Sequence, residues 1–113
     1  MTRQTDVLKG TLDLMILTGL SRGRTHGYGL AKWIHGTTHG VLAIDDGALY
    51  PALHRLEGHG WVASEWGMSD NNRKAKFYQL TAAGRRQLRE EVSYWKRFAE
   101  AMTQIVRAGE AAA

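Results

Sequence analysis

Near the start of the chain, apolar residues recur at helical spacing. Leu8, Leu12, Met15, Ile16 and Leu20 share one face, and Val7, Leu14 and Leu17 form a second stripe. The spacing predicts a helix from about Asp6 to Ser21, apolar on two sides. Such a helix must be covered on both faces: its own domain can cover one, and another subunit could cover the other. A second helix is expected from His26–Gly27 to about Gly36, with Leu30, Trp33 and Ile34 inward and Lys32 outward. Val41–Ile44 is a short apolar stretch that reads as a small strand. A third helix opens at Asp45 or Asp46, either a good N-cap. Leu49, Leu53 and Leu56, at i, i+4 and i+7, give it an inner face, and Gly58 and Gly60 stop it.

The period then changes. From Trp61 to Trp66, residues alternate, and Ala75–Leu80 is rich in Phe77, Tyr78 and Leu80. Between them lies the polar, turn-forming run from Gly67 to Lys74, so the two segments predict a β-hairpin. After Thr81, a helix N-cap, the helical period returns. Leu88, Val92, Trp95, Ala99, Met102 and Val106 step by four, three, four, three and four, a heptad seam. Tyr94, Phe98, Ala101 and Ile105 widen it. An apolar face this broad calls for a partner helix, and a second copy of the chain fits better than a fold back onto the first helix. The order is helix, helix, helix, hairpin, long helix: a mainly α winged helix-turn-helix with a C-terminal dimerisation helix. The expected divisions are a winged-helix domain over residues 1–80, the long helix over 81–108, and a disordered tail over 109–113.

Composition narrows the function. In 113 residues, 15 Lys and Arg stand against 11 Asp and Glu, a net charge of +4, and there is no cysteine. A mild basic excess suits a polyanionic partner. Without cysteine there are neither disulfides nor thiolate metal sites. No apolar run is long enough to span a bilayer, and Met1–Asp6 lacks the pattern of a signal peptide, so a cytoplasmic protein is expected, with no membrane partner. His35 and His39 are four apart but have no third ligand, and no metal or other cofactor is expected. No phosphate-binding glycine loop and no positioned catalytic triad is present, so an enzyme is not expected.

A three-helix unit followed by a hairpin gives the polar residues a place. Rotating roughly 100° per residue from the Leu49/Leu53/Leu56 face puts Gly47, Pro51 and His54 outward, flanked by Tyr50 and Arg55. Small residues at the helix start allow close approach to a groove, and Tyr50, His54 and Arg55 offer hydrogen-bonding groups to bases or phosphates. Pro51 sits beyond the first turn and removes one helical hydrogen bond. Asn71, Asn72, Arg73 and Lys74 at the hairpin tip, with Lys76 one step into the strand, suit a sugar-phosphate backbone or the minor groove. Asp45, Asp46 and Glu57 oppose this by placing negative charge on the same helix.

Three motifs carry a family resemblance: His26-Gly-Tyr-Gly-Leu30; Gly47-Ala-Leu-Tyr-Pro-Ala-Leu-His-Arg-Leu-Glu57 with Gly60 after it; and Asn72-Arg-Lys-Ala-Lys-Phe-Tyr-Gln-Leu-Thr81 followed by Gly84-Arg85. From about Leu8 to Trp95 the chain resembles the PadR family of bacterial transcriptional regulators, in its short branch with one C-terminal helix. The resemblance implies a winged-helix repressor, acting as a homodimer on double-stranded DNA and in some members released by a small aromatic compound. It implies that Tyr28 and Tyr50 face DNA and that Arg73 and Lys74 lie on the wing. It also implies that Trp95 lines a ligand pocket, although a seam core residue is the simpler reading. The expected DNA-binding set is therefore Tyr28, Lys32, Gly47, Tyr50, Pro51, His54, Arg55, Asn72, Arg73 and Lys74. The expected dimer interface is Leu14, Leu17, Leu88, Val92, Trp95, Phe98, Ala99, Met102 and Val106. A rival reading is a winged-helix protein–protein module that does not bind DNA.

Overall fold

The computed structural model describes residues 3–112, with side chains described from residue 10 onward. Val7 and Leu8 of the predicted first helix lie outside the described side chains. In chain order the elements are α1 (Arg3–Ser21), β1 (Thr25–His26), α2 (Gly27–Thr37), α3 (Asp46–Gly58), β2 (Val62–Met68), β3 (Lys74–Leu80) and α4 (Ala82–Ala112). The strands form one antiparallel sheet in the order β1-β3-β2. This is the expected mainly helical winged helix-turn-helix.

Each helix after the first starts on a side-chain cap that the sequence supplies. His26 accepts at Nδ1 from the Gly29 backbone N–H at 2.9 Å, opening α2. The Asp45 carboxylate accepts from the Ala48 N–H at 2.9 Å, opening α3. The Thr81 hydroxyl accepts from the Gly84 N–H at 3.0 Å and donates to the Gly60 carbonyl at 2.7 Å, fixing the start of α4 to the end of α3. These bonds satisfy backbone groups that a helix end leaves unpaired.

The core is contiguous. Ile16, Leu17 and Leu20 of α1 meet Leu30 and Ile34 of α2, Leu49, Leu53 and Leu56 of α3, and Val62, Tyr78 and Leu80 of the sheet. Gly19 brings α1 and α2 together: a Cβ there would run into Leu30 and crowd Trp33. Gly84 does the same for α4, because a Cβ would strike the Trp61 carbonyl oxygen.

Four expectations change. Leu17, assigned to the dimer interface, is fully buried in the protomer's own core, because α2, α3 and the sheet wrap further around α1 than one stripe requires. Leu88 also packs against that core, and Val92, Phe98 and Ala99 are half-buried in the protomer, so the exposed part of the seam is Trp95, Met102 and Val106. Val41–Ile44 forms no strand. The Val41 N–H bonds to the Thr38 carbonyl at 3.0 Å and the Leu42 N–H to the Thr38 hydroxyl at 3.0 Å, so these donors serve a local turn instead of a ladder. Finally, α4 continues to Ala112 through the residues read as a disordered tail, where Ala108, Ala111 and Ala112 favour helix.

The molecule measures 57 × 29 × 28 Å, and its length comes from α4. α4 packs on α1 and β3. From residue 101 to 112 its side chains are exposed. No helix among the described residues is long and apolar enough to cross a membrane.

Candidate nucleic-acid interface

Helix α3 has two faces. Leu49, Ala52, Leu53 and Leu56 are buried, whereas Gly47, Tyr50, Pro51 and His54 are exposed. Pro51 lies inside an unbroken helix. Lacking an N–H, it leaves the Gly47 carbonyl without its helical partner on the exposed face. Together with the missing Gly47 side chain, this gives the first turns of α3 a low profile and a free acceptor.

Arg55 does not join that face. Its Nη1 and Nη2 donate to the two carboxylate oxygens of Asp13 at 2.9 and 2.8 Å, a bidentate, half-buried pair tying α3 to α1. The hydrogen bond to Asp13 raises the guanidinium pKa further above its ordinary value, against the opposing effect of burial. The expectation that Arg55 reaches DNA is corrected: its donors serve the fold, because Asp13 stands one α1 turn from the core residues Ile16 and Leu17. Removing one partner of such a pair strands a charge.

The acidic residues that counted against this face are mostly accounted for. Asp45 is the cap. Glu57 accepts from the Ser64 hydroxyl at 2.6 Å and lies 3.9 Å from the Lys76 ammonium, so it faces the sheet. Asp46 stays exposed in the first turn.

The wing is built by local turn chemistry. Asn72 N–H bonds to the Ser69 carbonyl and Ser69 N–H to the Arg73 carbonyl, both at 2.8 Å, closing a three-residue loop. Asn72 has φ of 60°, the left-handed position such a loop requires and Asn tolerates. The loop leaves Asn71, Asn72, Arg73 and Lys74 exposed.

α2 and α3 meet the wing across an open cleft of about 600 Å³. Tyr28 and Tyr50 line its helical side, and Arg73, Lys74 and Lys76 its wing side. Among the described residues lining it there is no carboxylate. Gly27 positions Tyr50: the phenol lies where a Gly27 Cβ would be, so a side chain there would push the ring away. Beneath the cleft, burial, the Glu57 charge and Tyr50 together push the Tyr78 phenol pKa up.

The structure thus brings Tyr28, Tyr50, Arg73 and Lys74 to one cleft, with Gly47, Pro51, His54 and Asn72 exposed nearby on α3 and the wing tip. Lys32 is exposed on α2 but does not line the cleft. His39 lies beyond the end of α2, with φ of 52°, so the helical spacing that paired it with His35 is lost. Lys76, one step into β3, lines the cleft as its place beside the hairpin tip suggests. Sequence reasoning missed β1, the cap at His26, and the cleft residue Trp66. The hairpin register carries the missing signal, since it pairs Trp66 with Lys76 and Ser64 with Tyr78 on one face.

The sequence model of the transcriptional regulator PadR-like family matches residues 16–90. A transcriptional regulator of Mycobacterium tuberculosis is 35% identical over 83 residues, covering 74% of each chain. Among solved structures, a transcriptional regulator from Clostridium thermocellum superposes with a TM-score of 0.78 at 27% identity, over 88% of this chain and 96% of that one. A PadR family transcriptional regulator from Eggerthella lenta gives a TM-score of 0.72 at 31% identity, over 93% and 89%.

Proposed function

The chain belongs to the PadR-like family of transcriptional regulators, and from that membership we propose that it is a homodimeric repressor whose α3 and wing grip duplex DNA at a pseudo-palindromic operator. Members of this family are DNA-binding regulators and not enzymes. The observation that carries the finer reading is the cleft: aromatic hydroxyls of Tyr28 and Tyr50 on one wall, Arg73 and Lys74 on the other, and no carboxylate among its described lining residues. Gly47, Pro51 and His54 form the face that enters the major groove, with Lys32 and Asn72 reaching phosphates at either side. With Arg55 committed to Asp13, α3 carries little base-reading chemistry, and specificity draws on the wing and the spacing of two subunits. Its place of work is the cytoplasm, with the DNA it controls.

The dimer rests on α4. Val92, Trp95, Phe98, Ala99, Met102 and Val106, with Leu14 of α1, supply the apolar face, and a second copy buries it best. Trp95 and Phe98 lie with ring centroids 5.8 Å apart on that face. This aromatic pair supports release of DNA by a small planar aromatic effector held between the long helices.

Footprinting on the DNA upstream of the chain's own gene tests the reading. Protection of two half-sites centred about one helical turn apart, roughly 10 base pairs, or a multiple of it, is expected. Protection of a single isolated half-site would overturn the dimeric operator.

A further inference from the structure

We propose that Trp66 is a DNA-contacting residue of the wing, its indole packing on the deoxyribose edge of a backbone strand whose phosphates are held by Arg73 and Lys74. The proposal rests on the cleft being the DNA interface and names what its apolar wing surface is for. Trp66 is 62% exposed, although it is the largest side chain in β2. It is not turned to open solvent alone: it lines the same cleft as Tyr28 and Tyr50. Lys76 stands directly opposite it across the hairpin, and the Lys74 ammonium lies 5.1 Å from the centre of its ring.

A sugar-phosphate strand alternates an anionic group with an apolar ring. The cleft wall alternates in the same sense, with cations at Arg73 and Lys74 and an indole beside them. A stripe of phosphate-binding cations explains affinity without explaining an exposed tryptophan among them. Burying the indole against the sugar removes apolar surface from water and holds the neighbouring ammonium in a desolvated position, where its charge acts more strongly. Met68, on the same face of β2 and also exposed, extends the apolar strip towards the wing tip.

The test compares wild type, Trp66→Ala and Trp66→Phe by fluorescence anisotropy on one labelled duplex, the tightest recovered by the wild-type chain from a random-sequence pool. Affinities are read across a salt series, and thermal melts are recorded for each variant. Trp66→Ala is expected to weaken binding about tenfold, as the loss of a buried apolar contact does. Its salt slope stays that of wild type, because an indole neutralises no phosphate. Trp66→Phe recovers most of the affinity, and all three melt within a few degrees of one another. Wild-type affinity in Trp66→Ala overturns the proposal. So does a loss accompanied by a slope shallower by about one phosphate, which would mean that Trp66 acts through Lys74 alone. Failure of the wild-type chain to recover any duplex would instead overturn the DNA reading of the cleft, and the two failures are thereby separated.

Discussion

A chain carrying Trp95→Glu and Met102→Glu is expected to sediment as a monomer and to lose about 10³-fold or more in apparent affinity for a two-half-site duplex, falling towards non-specific binding. The reason is local to α4. Trp95 and Met102 are 42% and 44% exposed in the single chain, and Ile105 and Val106 beyond them are 65% and 52% exposed. A run of apolar side chains this long on one helix face is stable in water when a second helix covers it. A carboxylate at the seam would be desolvated without a partner, a cost of several kcal/mol for each ion. One protomer then grips one half-site, and the coupling between the two half-sites is lost. Because Trp95 and Met102 lie outside the protomer core, the double variant keeps its far-ultraviolet helix signal and a cooperative melt. A variant that remains dimeric would remove the seam from the interface.

Gly84→Ala is expected to lower stability by about 3 kcal/mol, the upper part of the range for overpacking, and the melting temperature by roughly 10 °C at fixed protein concentration. The added methyl has nowhere to go. It meets the Trp61 carbonyl oxygen, which already accepts from the Thr81 N–H at 3.1 Å. Moving the oxygen breaks that bond. Moving α4 instead pulls the Gly84 N–H from the Thr81 hydroxyl. Alanine's better helix propensity returns about 1 kcal/mol and does not offset the clash. Gly109→Ala is the control on the same helix. It meets nothing within 4 Å and is expected to be neutral or slightly stabilising. Equal melting temperatures for the two variants would contradict the tight approach of α4 to the end of α3.

What the sequence makes legible is whatever is encoded in neighbouring residues. The Leu49/Leu53/Leu56 spacing, the Thr81 cap and the run from Leu88 to Val106 announce α3 and α4 because helix period and capping act over a few positions. β1 is different. Thr25 and His26 become a strand because they pair with Tyr78 and Phe77, far along the chain, and two residues carry no period. Val41–Ile44 misleads in the opposite sense: its apolar composition suits a strand, while the Thr38 side chain and carbonyl capture its donors. The site follows the same rule. Tyr28, Tyr50, Arg73 and Lys74 are visible from motif and position. Arg55 reads as a free cation until Asp13, 42 residues away, takes its guanidinium. Leu17 reads as surplus apolar surface until α2, α3 and the sheet are seen to surround it. Trp66 reads as one more strand residue until the hairpin register turns it towards α3.

In the proposed function the wing cations and the tyrosines of α2 and α3 hold a DNA backbone. The most direct measurement is the dependence of the DNA binding constant on salt, for wild type and for Arg73→Ala with Lys74→Ala on the same duplex. The expected wild-type plot of log K against log salt is linear and steeply negative. In the double variant it becomes shallower by about 2, close to 0.9 for each lost phosphate contact. Binding that does not respond to salt, or a double variant whose slope and affinity match wild type, would contradict the assignment.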